Sequence, residues 1–225
     1  MSQLNSLVLI SALVIVCASR ADVAQTPSKI PKDDTQEWND IQLAAPLSEK
    51  VDFVLQGTVR LGDDVTRPVD ERLGVGFVFK VNKHLSLNPF FFHRDARRPN
   101  GTPESEDRVT LGATLRFPIR KFSFVERNWI ERRWRCPQVD AWRYRIRLQL
   151  EHPFKINKAK FTGYVSDEVF YDWSQHDWVR NRLSVGASHA FNEHFTGDLY
   201  FMRQNDGRSR PGNITILGSQ LKFKM

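Results

Sequence analysis

Residues 140–152 admit few folds. From Trp142 onward the side chains alternate without a break. Trp142, Tyr144, Ile146, Leu148 and Leu150 form one row; Arg143, Arg145, Arg147, Gln149 and Glu151 form the other. A period of two assigns the rows to opposite faces of a β-strand. Three stacked arginines cannot enter an ordinary apolar core, because each unpaired buried charge costs several kcal/mol. The apolar row is longer than a half-buried soluble strand needs, and a tilted strand of about ten residues is what crosses a bilayer. The alternation therefore predicts one stave of a transmembrane barrel, with hydrocarbon outside and an ionic network inside.

The same grammar recurs from Trp38 to the last residue. Val51, Phe53, Leu55, Val59 and Leu61 alternate with Asp52, Gln56, Thr58 and Arg60. Val109, Leu111, Ala113, Leu115 and Phe117 alternate with Arg108, Thr110, Thr114 and Arg116. Leu217, Leu221, Phe223 and Met225 alternate with Gly218, Gln220, Lys222 and Lys224. Short turn signals, such as Pro46 to Lys50, Val81 to His84 and Phe191 to His194, intersperse with longer polar stretches. Those stretches, Gly62 to Val69, Asp95 to Glu106, Arg135 to Asp140, Asp172 to Asp177 and Asn205 to Asn213, are expected as long loops. Short turns on one side and long loops on the other are the pattern of outer-membrane barrels. Aromatic residues sort by level: Phe117, Phe122, Phe154, Phe161, Phe191 and Phe195 flank the turns, and Trp134, Trp142, Trp173 and Trp178 flank the loops. Two interfaces would select such belts. One strand breaks the pattern, since Glu126 and Asn128 fall on the apolar row after Phe122 and Phe124. A bulge there would restore it.

The expected fold is thus all-β, an antiparallel transmembrane up-and-down β-barrel over residues 37–225. Eleven strands can be counted, but bacterial single-chain barrels are usually even, so about twelve (ten to twelve) are expected, one hiding before Trp38 or one being partial. A terminal Met225, with Phe223 two residues earlier, departs from the aromatic ending common in such barrels. Leu4 to Ala18 is the one long apolar run, too short for a comfortable membrane helix, and small residues follow at Ala21 and Ala24. It reads as a signal peptide over residues 1–24, cleaved near 21–24, followed by an irregular lead-in over residues 25–36 that carries Pro27 and Pro31. Cys17 invites a lipoprotein reading, which the bulky Val16 before it disfavours. Cys136 is left alone and makes no internal disulfide.

With these residues in hand, the sequence resembles a family of bacterial outer-membrane β-barrel proteins catalogued only as a domain of unknown function. The resemblance covers Trp38 to Met225. It rests on the Trp38-Asn39 strand running into the turn at Pro46, on Tyr144 to Arg147, on Arg180 to Leu183, and on Tyr200 to Asp206. It implies a barrel in the outer membrane of a Gram-negative cell and brings no activity with it.

Charge then narrows the function. The formal net charge is +7, from 33 basic and 26 acidic residues, but the basic residues are spread at strand spacing rather than gathered on a helix. Nucleic acid is not an expected partner. Outer-membrane lipids and small anions are. The inward face is predicted to bring Arg60, Arg72, Arg108, Arg116, Arg143, Arg145, Arg147, Arg180 and Arg182 among Asp52, Glu151, Glu168 and Asp198. Such a set either fills a narrow barrel with ion pairs or forms a basic lumen that holds or passes an anion. No catalytic set assembles. His84 precedes Ser86 at the turn end, Ser188 and His189 face opposite ways, and His176 has Asp172 and Asp177 nearby in a loop. The histidines lack metal-ligand spacing and no glycine-rich phosphate loop is present, so neither metal nor cofactor is expected. A structural or pore-like barrel ranks above a lipid-modifying enzyme using His176 or His84. A soluble exported β-barrel or β-sandwich binding protein would instead turn its arginines to water.

Overall fold

The computed structural model describes residues 32–98 and 100–225. It forms a single closed barrel of eleven strands: β1 (Asp33–Ser48), β2 (Val51–Gly62), β3 (Arg67–Lys80), β4 (Leu85–Arg97), β5 (Pro103–Ile119), β6 (Phe122–Cys136), β7 (Ala141–Ile156), β8 (Ala159–Asp172), β9 (Asp177–Ala190), β10 (Phe195–Asp206) and β11 (Asn213–Lys224). Chain neighbours pair antiparallel, and β1 closes on β11 in parallel, from Asp33 opposite Asn213 to Ala44 opposite Lys224. Parity explains the closure. In an up-and-down meander an odd number of strands leaves the first and last pointing the same way. Closure leaves no sheet edge with unpaired amides.

Several expectations are corrected here. Among the described residues there are eleven strands, so the even number assumed from habit gives way to the direct count. The first strand begins at Asp33, inside the expected lead-in, because Asp33 to Glu37 pair with Asn213 to Leu217. The signal peptide and Cys17 lie outside the described residues. The expected long loops are partly ladder: β4 runs to Arg97 and β5 starts at Pro103, with Asp95 paired to Ser105. Polar composition had marked that stretch as loop, yet main-chain pairing does not require apolar side chains. The connections at this end, here termed the loop end, span four to six residues, against two to four at the turn end.

No bulge occurs at Glu126 and Asn128. The registers of β6 with β5 and β7 run unbroken, and bulges fall instead at Pro46/Ser48, Arg60/Leu61 and Phe170/Tyr171. The two polar side chains therefore stay on the outward face. Asn128 donates to Glu126 at 2.8 Å and accepts from the Tyr144 hydroxyl.

The outward face is otherwise an apolar band. Leu73, Leu111, Leu199 and Leu217 are each more than 60% exposed, which a water-soluble barrel would not tolerate in such number. Phe117, Phe122, Phe161, Phe191, Phe195 and Phe223 close the band at the turn end through ring contacts with one another and with histidines. The inward face is mainly polar; among the described residues Trp38, Ile214 and Ile216 form an apolar cluster on it. Gly218 lies opposite Tyr200 on β10, where a β-carbon would collide with the ring, so its place in a strand is set by this close approach.

Candidate functional site

Inward positions on β2 to β9 in the loop half converge on four buried carboxylates. Asp70 receives Arg72 and Arg94 at 2.5 Å each and Arg60 at 3.9 Å. Glu106 receives Arg108 and Arg133, both at 2.6 Å. Glu131, with no exposed surface, receives Arg143 at 2.5 Å, Arg145 at 2.9 Å and Arg108 at 3.4 Å. Glu168 receives Arg127 at 2.7 Å, Arg145 at 2.8 Å and Arg182 at 3.8 Å. Arg108 and Arg145 each bridge two carboxylates, so the pairs form one chain from Glu106 through Glu131 to Glu168. Aromatic faces complete the layer. Arg145 and Arg182 stand 4.7 and 4.8 Å from the ring centre of Phe170, and Arg60 stands 3.5 Å from that of Trp38. Arginine suits this layer, since its planar fork bonds two partners and stacks on rings.

Above this layer, toward the loop end, lies a cavity of about 570 Å³. Fifteen arginines and seven carboxylates line it, so positive charge is left over after every carboxylate is matched. Its floor is the buried layer itself: Trp38, Phe170, Arg108, Arg143, Arg145 and Arg182 belong to its lining and are all under 9% exposed.

The expected inward residues divide. Arg60, Arg72, Arg108, Arg143, Arg145, Arg180, Arg182 and Glu168 meet in or beside this layer, Arg180 through Asp206 at 2.6 Å. The others do not. Asp52 pairs with Lys80 at 2.7 Å, and Arg116 pairs with Glu151, both at the turn end. Asp198, expected among the inward arginines, instead accepts from the Tyr164 hydroxyl at 2.8 Å. Arg147 stands opposite Glu168 in register, but its Nε has no hydrogen-bond partner.

Sequence reasoning missed Asp70, Glu106, Glu131 and Asp206 together with Arg94, Arg127 and Arg133. A bulge at Glu126 and Asn128 would have turned Glu131 outward, and the unbroken register turns it in. Glu106 and Asp206 lay at the margins of stretches taken as loops. Continued alternation through Glu104, Glu106 and Arg108 was the available signal.

The histidines take no part. His176 is exposed, while Asp172 accepts from Ser174 at 2.6 Å and Asp177 pairs with Arg208 at 2.8 Å. Nδ1 of His84 donates to the main-chain carbonyl of Arg116 at 2.9 Å. Among the described residues no group of three or more His, Cys, Asp or Glu side chains is placed to hold a metal ion.

A family model described as "Protein of unknown function (DUF2490)" matches residues 35–214. No curated protein matches the sequence. Among solved structures, LpxR from Salmonella typhimurium is similar at a TM-score of 0.50 and 8% identity, over 82% of this chain and 87% of that one. The NanC porin aligns at 0.49 and 11% identity, over 85% of this chain and 99% of that one. The beta domain of the Bordetella autotransporter Brka aligns at 0.44 and 10% identity, over 72% and 79%. At such identities LpxR shares the fold alone, and that fold is the outer-membrane β-barrel.

Proposed function

Because the chain belongs to DUF2490, a family of proteins of unknown function, its role is read from its own interior, and we propose an outer-membrane barrel that holds small anions in an arginine-walled vestibule at its loop end. Outer-membrane lipids surround the apolar band. The observation that carries this reading is the cavity above a buried floor, lined by fifteen arginines and seven carboxylates. Field lines concentrate in such a recess and raise the local concentration of anions. A floor built of ion pairs makes retention the resting behaviour, with passage requiring the floor to part.

Titration with pyrophosphate tests it. The full-length protein should bind this probe with an affinity that falls as salt is added. Replacing Arg97, Arg98, Arg135 and Arg210 at the rim by glutamine should weaken binding at least tenfold. Equal affinity in the two proteins would refute the vestibule as the site. The membrane assignment is checked separately. An unboiled barrel should migrate differently from a boiled one and should stay with the membrane through a salt wash.

A further inference from the structure

The turn end carries a different cationic device, and it repeats. His84, His152 and His189 each bond through Nδ1 to a main-chain carbonyl of a neighbouring strand or turn: Arg116 at 2.9 Å, Lys121 at 3.1 Å and Lys160 at 2.7 Å. Each ring also packs on a phenylalanine of the belt, Phe117 at 5.7 Å, Phe122 at 4.8 Å and Phe161 at 4.7 Å. A carbonyl can only accept, so Nδ1 carries the proton, and Nε2 of the neutral ring is an acceptor. None of these three Nε2 atoms has a protein partner among the described residues. Exposed cations lie close along the chain at each site: Lys83 precedes His84, Lys121, whose carbonyl His152 bonds, follows Arg120, and Lys158 and Lys160 come just before Phe161. His194 is set apart, because its Nε2 faces the Glu193 carboxylate at 3.5 Å.

We propose that these three histidine–phenylalanine–cation recesses seat the head groups of an anionic, hydroxyl-bearing glycerophospholipid, for which phosphatidylglycerol is the probe. The phosphate meets the turn cations, a head-group hydroxyl donates to Nε2, and the acyl chains continue along the phenylalanine belt. Charge complementarity excludes a zwitterionic head group from the same preference, and the acceptor atom distinguishes a hydroxylated head group from a bare anionic one. The inference rests on the membrane reading above and is independent of the vestibule.

The full-length protein is first folded into phosphatidylcholine vesicles, with heat-dependent mobility as the readout. It is then extracted in detergent, offered equal amounts of phosphatidylglycerol, phosphatidylmethanol and phosphatidylcholine, and its retained lipid counted by native mass spectrometry. Phosphatidylmethanol has the same charge and no hydroxyl. Phosphatidylglycerol should be retained roughly tenfold over phosphatidylcholine and roughly threefold to fivefold over phosphatidylmethanol, the latter being the factor one neutral hydrogen bond supplies. The H84F/H152F/H189F protein should lose the second preference and keep the first. The K83Q/R120Q/K121Q/K158Q/K160Q protein, altered only at exposed rim positions, should lose the first. Equal retention of all three lipids by the native protein, or unchanged ratios in either variant, overturns the proposal. Failure to enter any vesicle overturns the membrane reading and this inference together, whereas entry without preference overturns the inference alone.

Discussion

The two ends of the barrel hold their positive charge in opposite ways. In the loop half the cation is arginine, turned inward and shared among buried carboxylates. At the turn end it is mainly lysine, at the rim and largely exposed. Among the described residues every lysine except Lys32 stands at the turn end, while all but a few arginines stand at mid-height or above. Chemistry accounts for the division. Guanidinium is weakly hydrated and forks between partners, so Arg145 can join Glu131 to Glu168 inside the wall. Ammonium is strongly hydrated on a flexible stem, so lysine serves where a charge must stay in water beside an apolar band. Net charge therefore describes neither region. One is a buried network with a surplus, the other an exposed fringe.

The sharpest way to break this comparison is at the shared carboxylate. Glu131→Gln leaves Arg108, Arg143 and Arg145 around a neutral amide in a buried site. A loss of about 3–5 kcal/mol is expected, read as a lower denaturant midpoint of the fast-migrating folded form. An unchanged midpoint would mean the guanidinium groups are held by something else. Next comes the outer wall. Ile146→Arg places a charge in the apolar band near mid-height and should cost roughly 2–4 kcal/mol, seen as impaired folding into vesicles. Arg145 is its immediate neighbour and faces inward, so Arg145→Lys should insert normally. Its lysine cannot bridge both carboxylates, and a stability loss of about 1.5–3 kcal/mol is expected from the charged hydrogen bonds forgone. Should Arg145→Lys prove silent, the distinction between the two cations inside the wall would fail. The smallest effect belongs to the rim, where Lys158→Arg should alter stability by no more than about 0.5 kcal/mol. A large effect there would show that the fringe is as ordered as the network.

Most of the architecture was legible in the chain. Side-chain alternation has a period of two whatever surrounds it, so β7 and the strands like it announced both their faces and their inward arginines. The strand count was legible too, and went astray only where habit replaced counting. From Asp95 to Arg97, from Pro103 to Glu106 and at Asn205 and Asp206 polarity concealed strand, because hydrogen bonds along a ladder depend on the main chain. Glu126 and Asn128 misled for the opposite reason. Polar side chains on an apolar row read as a slip in phase, yet they keep the row by bonding to each other and to Tyr144.

The sequence by itself thus determined an all-β barrel, the sidedness of most strands and the identity of many, though not all, of the arginines that face inward, since each is a local consequence of alternation. Which carboxylate each arginine meets was decided only by the tertiary structure. A pairing such as Arg127 with Glu168, or Arg108 with Glu131, depends on the stagger between strands. Stagger is fixed by closure of the whole ring, with its bulges and its parallel seam. No single strand carries that information, because a register exists only between two strands, and a closed one only among all of them.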